Sequence, residues 1–177
     1  MRIGVAKSPP MVTFIKNQLV IFSEAKMKTS DIDVSVVVSF DCTKVKTNMP
    51  PIRELKRNYG VASQLQDEVR PFVCIGKNDG ISQWAELTTE EREERLHIPK
   101  SERTWQNGDT NHRPTVRWKT DNHWVNGAVF EGPDDVWANL ATDSNTSGKF
   151  RCVTCQMILQ IRDHLAQQLE EALFPWP

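Results

Sequence analysis

Apolar residues in this chain fall mostly into short runs broken by turn-forming residues, and one stretch near the C-terminus has helical spacing. Val34-Ser35-Val36-Val37-Val38-Ser39-Phe40 is rich in β-branched residues, which fit a pleated surface, and is expected as a central strand. Residues 70–76 and 81–89 are two apolar runs joined through Lys77-Asn78-Asp79-Gly80. Asn, Asp and Gly tolerate the positive φ of tight turns, so a β-hairpin is predicted there. Further hairpins are predicted from residues 11–15 with 19–23, and from 115–119 with 123–125. Asn126-Gly127 is expected to start a turn toward Ala128-Val129-Phe130, and residues 149–154 to form a last strand.

Helical signals are fewer. Ile158, Ile161, Leu165, Leu169 and Ala172 recur at spacings of three and four. This predicts a helix over 156–173 with one stripe on the sheet and Arg162, Gln168 and Glu171 in water. Shorter helices are expected over 52–59, closed by Gly60, and from Asp134 or Asp135 to Leu140. Thr88-Thr89-Glu90-Glu91 reads as a capping box opening a helix to Leu96. Residues 100–114 read as a polar loop. The pattern as a whole predicts an α+β fold: a curved antiparallel sheet with a C-terminal packing helix.

Charge divides the chain more sharply than its net value of −1 suggests. Residues 1–60 carry ten Lys or Arg against five Asp or Glu, whereas residues 61–177 carry twelve against eighteen. All six Trp fall after residue 60. The expected organisation is a basic, β-rich part over 1–55 and a Trp-rich part over 56–177, folded as one compact unit. The basic part suits a phosphate backbone. No run approaches the roughly eighteen apolar residues that span a bilayer, and Lys16, Asn17 and Gln18 interrupt the apolar stretch nearest the N-terminus. A cytoplasmic protein with no membrane partner is expected, and Cys42, Cys74, Cys152 and Cys155 are therefore read as free thiols. No glycine-rich phosphate loop and no Gly-x-Ser-x-Gly elbow occurs.

Arg70-Pro71-Phe72-Val73-Cys74-Ile75, a turn, a strand ending in Leu87-Thr88-Thr89, and then a late strand with a terminal helix resemble the MazF/PemK toxins over about residues 60–175. The resemblance implies an SH3-like β-barrel and metal-independent endoribonuclease chemistry. A base activates the ribose 2′-hydroxyl and an arginine stabilises the phosphorane. It also implies RNA as partner, with a homodimer or an inhibitor protein. Arg70 and Thr88 or Thr89 are the residues carried over; His97 or His112 is added as acid or base on chemistry alone, because histidine titrates near neutrality.

Three other constellations carry chemistry. Arg117-Trp118-Lys119 and His123-Trp124 set aromatic rings beside cations, the pattern that holds single-stranded nucleic acid. Cys152-Val153-Thr154-Cys155 offers two thiolates that, with His112 and His123 upstream, would complete a tetrahedral structural zinc site; Cys42 and Cys74 are further candidate ligands. Otherwise no cofactor is expected. Glu24-Ala25-Lys26 after a strand is the acid–lysine pair of a metal-dependent PD-(D/E)xK nuclease, although Met11 stands where its upstream aspartate would be. The competing class is a non-catalytic protein-interaction module built on the Trp cluster and the terminal helix.

Overall fold

A computed structural model of the chain describes residues 12–15, 18–21, 27–58, 65–105, 118, 122–142 and 150–176. Strands β1 (Val12–Ile15) and β2 (Gln18–Ile21) form the expected first hairpin as a sheet of their own. The remaining strands are β3 (Val36–Asp41), β4 (Arg53–Glu54), β5 (Val69–Asn78), β6 (Ile81–Thr88), β7 (Leu96–Ile98), β8 (Arg103–Trp105), β9 (His123–Pro133) and β10 (Arg151–Val153). They build one antiparallel eight-stranded sheet in the order β4-β9-β6-β5-β3-β10-β8, with β7 also on β9. Helices α1 (Cys42–Thr47), α2 (Asp134–Leu140) and α3 (Cys155–Ala166), with short 3-10 turns at Thr29–Asp31 and Lys100–Glu102, complete the described elements. The α+β expectation holds in its open-sheet form. β8 does not pair with the β4 and β7 edge, so the sheet is not a closed barrel. No helix among the described residues is long and apolar enough to cross a membrane.

The β5–β6 hairpin forms as predicted. Asn78 pairs with Ile81, and the two residues between them, Asp79 and Gly80, have φ of 45° and 77°. That is the all-positive geometry of a type I′ turn, whose twist matches the strands it joins.

Strand alternation then sorts the apolar residues onto two covered faces. Val36, Val38, Phe40, Phe72, Trp84 and Phe130 lie on the first face with Val45 of α1 and Trp137 of α2. Val37, Val73, Leu87, Val125 and Val129 lie on the second, under Met157, Ile158, Ile161 and Leu165 of α3. Strands taken from both compositional blocks interleave in this one sheet.

Several expected elements are replaced, each for a packing reason. No helix forms at 52–58. Ile52 belongs to the first core and Leu55 to the second, and an extended chain reaches both where a helix would stack them on one side. Nor does a helix follow Thr88, because Thr88 is held in the ladder opposite Trp124. Its hydroxyl still accepts from Glu90 N at 3.2 Å, and the chain turns into β7 instead.

Asn126-Gly127 does not end a strand. β9 runs straight through it as a bulge, three residues facing the single Glu86, with Gly127 at φ 82°. α3 stops at Ala166, and Leu169 reaches the core from an extended bridge with Arg57. Arg162, expected in water, is partly buried and donates to the carbonyls of Ile75 and Phe174. The predicted helix to Leu140 forms as α2, but Pro133 takes the N-cap position and Asp134 is buried in the first turn, 3.4 Å from Lys77 Nζ.

Helix α1 has no counterpart in the sequence reading. Its six residues are too few to show a period, and what starts it is Asp41, whose carboxylate accepts from Thr43 N at 3.0 Å. Asp41→Ala is expected to cost about 1 kcal/mol, the usual worth of an N-cap. Urea unfolding checks this, and a loss below ~0.3 kcal/mol would mean the helix is held by its packing alone.

Candidate functional site

Where β3, β5, β6, β9 and β10 end together, the sheet leaves a cleft of about 250 Å³ whose lining includes Ser39, Arg70, Thr88, Thr89, His123 and Arg151. The three positions carried over from the resemblance, Arg70, Thr88 and Thr89, are therefore in one place. Strand alternation nevertheless sends the polar side chains around the cleft to different faces. Arg70 pairs with Phe40 and Thr88 with Trp124, so their side chains share the first face. Arg151 pairs with Val37 and His123 with Ile98, which places these two with Ser39 on the second.

On the first face Arg70 is held from several sides. It donates from Nη1 to Thr88 Oγ1 and from Nη2 to Gln66 Oε1, both at 3.1 Å, and forms an ion pair with Glu68. Its Nε lies 3.8 Å from Glu86 Oε1. Glu86 is buried, and burial pushes its carboxyl above the ordinary range, against a hydrogen bond from Asn126 Nδ2 at 2.8 Å and the nearby guanidiniums. His97 is exposed on β7, opposite Trp124, with ring centroids 5.1 Å apart. Arg70, Thr88, Trp124 and His97 thus form a row across four adjacent strands. At ~4.8 Å per strand, His97 stands about 14 Å from Arg70 along that row. The arrangement joins Arg70 to Thr88 but leaves His97 beyond reach of either.

The second face carries a different group. Arg151 is buried, only 2% exposed, and donates from Nη2 to Ser39 Oγ at 3.0 Å. Its guanidinium lies 5.7 Å from the Trp118 ring centroid, and that of Arg103, on the neighbouring strand β8, lies 4.9 Å away. His123 meets the same ring edge-on at 4.9 Å. One indole therefore orients two cations and an imidazole, each contact being of the cation–π or edge-to-face kind. Burial, then the charges of Arg103 and Arg151, bring the His123 pKa down to about 4, so the ring is neutral at pH 7.

Of the nucleic-acid candidates, Trp118 stands in this cluster and Trp124 on the opposite face; Arg117 and Lys119 lie outside the described residues, as do His112, Glu24 and Lys26. The zinc candidates are not gathered. Cys152 belongs to the first core, its thiol pushed up to about 12 by burial, while His123 faces the other way and Cys155 is exposed at the start of α3. Cys42 and Cys74 are buried in the first core. Among the described residues no three His, Cys, Asp or Glu side chains form a metal-binding group.

Sequence reasoning passed over Arg151, Arg103 and Ser39. Phe150-Arg151-Cys152-Val153 held a usable signal: a charge inside an apolar strand is rarely buried without a partner or a task. Neither a scan against protein-family models nor searches of curated proteins and of solved structures returned a match to this chain.

Proposed function

We propose that this protein is an RNA-directed domain that holds a phosphodiester of single-stranded RNA in the cleft beside Arg151 and cleaves it without a metal, as the MazF/PemK resemblance implies. The observation that carries the reading is the buried Arg151 guanidinium, oriented by Ser39 and Trp118, next to a neutral His123. A preoriented, buried guanidinium stabilises charge that develops on a phosphorane far better than a mobile one in solvent. A neutral imidazole has the protonation state a base requires. Burial is the main cause of the low His123 pKa, and a bound phosphate offsets the further lowering by the Arg103 and Arg151 guanidiniums.

In the reaction, the 2′-hydroxyl proton passes to His123 and the 2′-oxygen bonds to phosphorus. The bond from phosphorus to the 5′-oxygen breaks, that oxygen takes a proton from solvent, and a 2′,3′-cyclic phosphate and a 5′-hydroxyl remain. Thr89, an exposed residue of the cleft lining, would hydrogen-bond a phosphate oxygen in this reading. In this reading Arg70 shapes the cleft wall from the first face.

The test is fluorescence-anisotropy binding and gel-resolved cleavage of a single-stranded RNA, with and without chelator. Chelator-resistant cleavage is expected, with Arg151→Gln weakening binding at least ten-fold and Arg70→Gln leaving binding within about three-fold. Thermal melts confirm that each variant is folded. Wild-type binding by folded Arg151→Gln, or cleavage that chelator abolishes, would overturn the reading.

A further inference from the structure

A second cavity, about 430 Å³, lies at the outer edge of β9, where pairing with β7 stops at Val125 and pairing with β4 begins at Phe130. Its lining combines Arg57, Arg92 and Arg95 with the amide side chains of Asn126, Gln167 and Gln168; Glu94 also lines it. We propose that this cavity binds a free mononucleotide, the phosphate held by Arg92 and Arg95 and the base edge read by the amides. It is separate from the RNA cleft and rests on none of the residues assigned there.

The geometry of an anion site is already present in miniature. Arg92 Nη2 at 3.1 Å and Arg95 Nη1 at 3.0 Å converge on one carboxylate oxygen, Glu90 Oε2. Glu90 is outside the cavity lining and its side chain is 61% exposed. Two guanidiniums that reach one oxygen suit a phosphate monoester; because Glu90 stands outside the lining, the phosphate has to draw them from it into the cavity, and an exposed intramolecular carboxylate is a weak competitor. Arg57 adds a third guanidinium, engaged by Glu54 at 3.1 Å.

The amide side of the cavity is also built. A Cβ on Gly127 would come within 2.8 Å of Gln168 Oε1, so the glycine lets that amide lie against the β9 backbone. Asn126 Nδ2 already donates to Glu86 Oε2 at 2.8 Å and Gln168 Nε2 lies 3.1 Å from His164 Nε2, so the edge of a nucleobase would be read by their carboxamide oxygens and by the Gln167 side-chain amide, which carries donor and acceptor together. The volume falls within the range of small-ligand pockets, roughly 300–1,000 Å³.

Calorimetry with AMP, CMP, GMP and UMP, and with ribose 5-phosphate as the baseless control, tests the proposal. At least one nucleotide should bind ten-fold or more tighter than ribose 5-phosphate. Arg92→Gln, at an exposed position, should weaken binding at least five-fold. Glu90→Gln, which removes the internal competitor, should tighten it about three-fold, a gain that a merely structural Glu90 would not produce. Gln168→Ala should close the gap between nucleotide and ribose 5-phosphate, and Arg151→Gln should leave nucleotide binding unchanged. Equal binding of nucleotides and ribose 5-phosphate, no binding of either, or a Glu90→Gln variant no tighter than wild type would each overturn the proposal.

Discussion

Trp137→Ala is expected to destabilise the fold by about 3–5 kcal/mol, the cost of removing a large aromatic from a core that cannot collapse around the void. Trp137 is fully buried and its ring centroid lies 4.9 Å from Phe40, 5.8 Å from Trp84 and 6.4 Å from Phe72. These rings join α2 to the three central strands β3, β5 and β6. Truncating Trp137 therefore loosens the helix and the sheet together. Trp137→Phe keeps most of the ring packing and should lose less than half as much. Guanidinium unfolding followed by circular dichroism checks both, and a loss under ~1.5 kcal/mol for the alanine variant would show that α2 is dispensable to the core.

The second large effect is in acid. His123 is neutral in the fold down to about pH 4, whereas an unfolded histidine takes its proton near 6.5. As pH falls through that window the unfolded state binds the extra proton, so stability declines with falling pH, is whole above about 6.5 and levels off below about 4. The gap amounts to roughly 3 kcal/mol. His164, also lowered by burial, adds in the same direction. Glu86 works the other way: burial raises its carboxyl, so its contribution is lost as pH rises from the ordinary carboxylate range. Comparing wild type with His123→Asn isolates the histidine part. The difference in unfolding free energy between the two should shrink by roughly 3 kcal/mol from pH 7 to 4; a difference that stays constant would refute the assignment of the acid lability to His123.

What could be read in advance depended on how local the cause was. The β5–β6 hairpin was legible because Asn78-Asp79-Gly80 fixes the turn and hence the register. α3 was legible because Ile158, Ile161 and Leu165 share a stripe at helical spacing. Gly127 misled for an instructive reason: Asn-Gly has the chemistry of a turn and of a bulge alike. Across the 126–128 insertion Asn126 Nδ2 donates to Glu86, and Gly127 takes the positive φ.

The site divided in the same manner. Arg70 and Thr88 meet because hairpin partners are set by register. His97 was drawn from chemistry with no spatial constraint, and the strand order placed it across the sheet from Arg70.

By itself the sequence determined the α+β character, the hairpin, the central strand and the buried stripe of the last helix, since each follows from backbone preference or from a period of two or four residues. Only the tertiary structure decided that the sheet stays open and that Arg70 and Arg151 lie on opposite faces of it. It alone placed Trp118 between two guanidiniums and a histidine, and three arginines at a gap in the pairing of β9. Those outcomes depend on strand order and on one-residue parity across distant strands, where a single step turns a side chain from one face to the other.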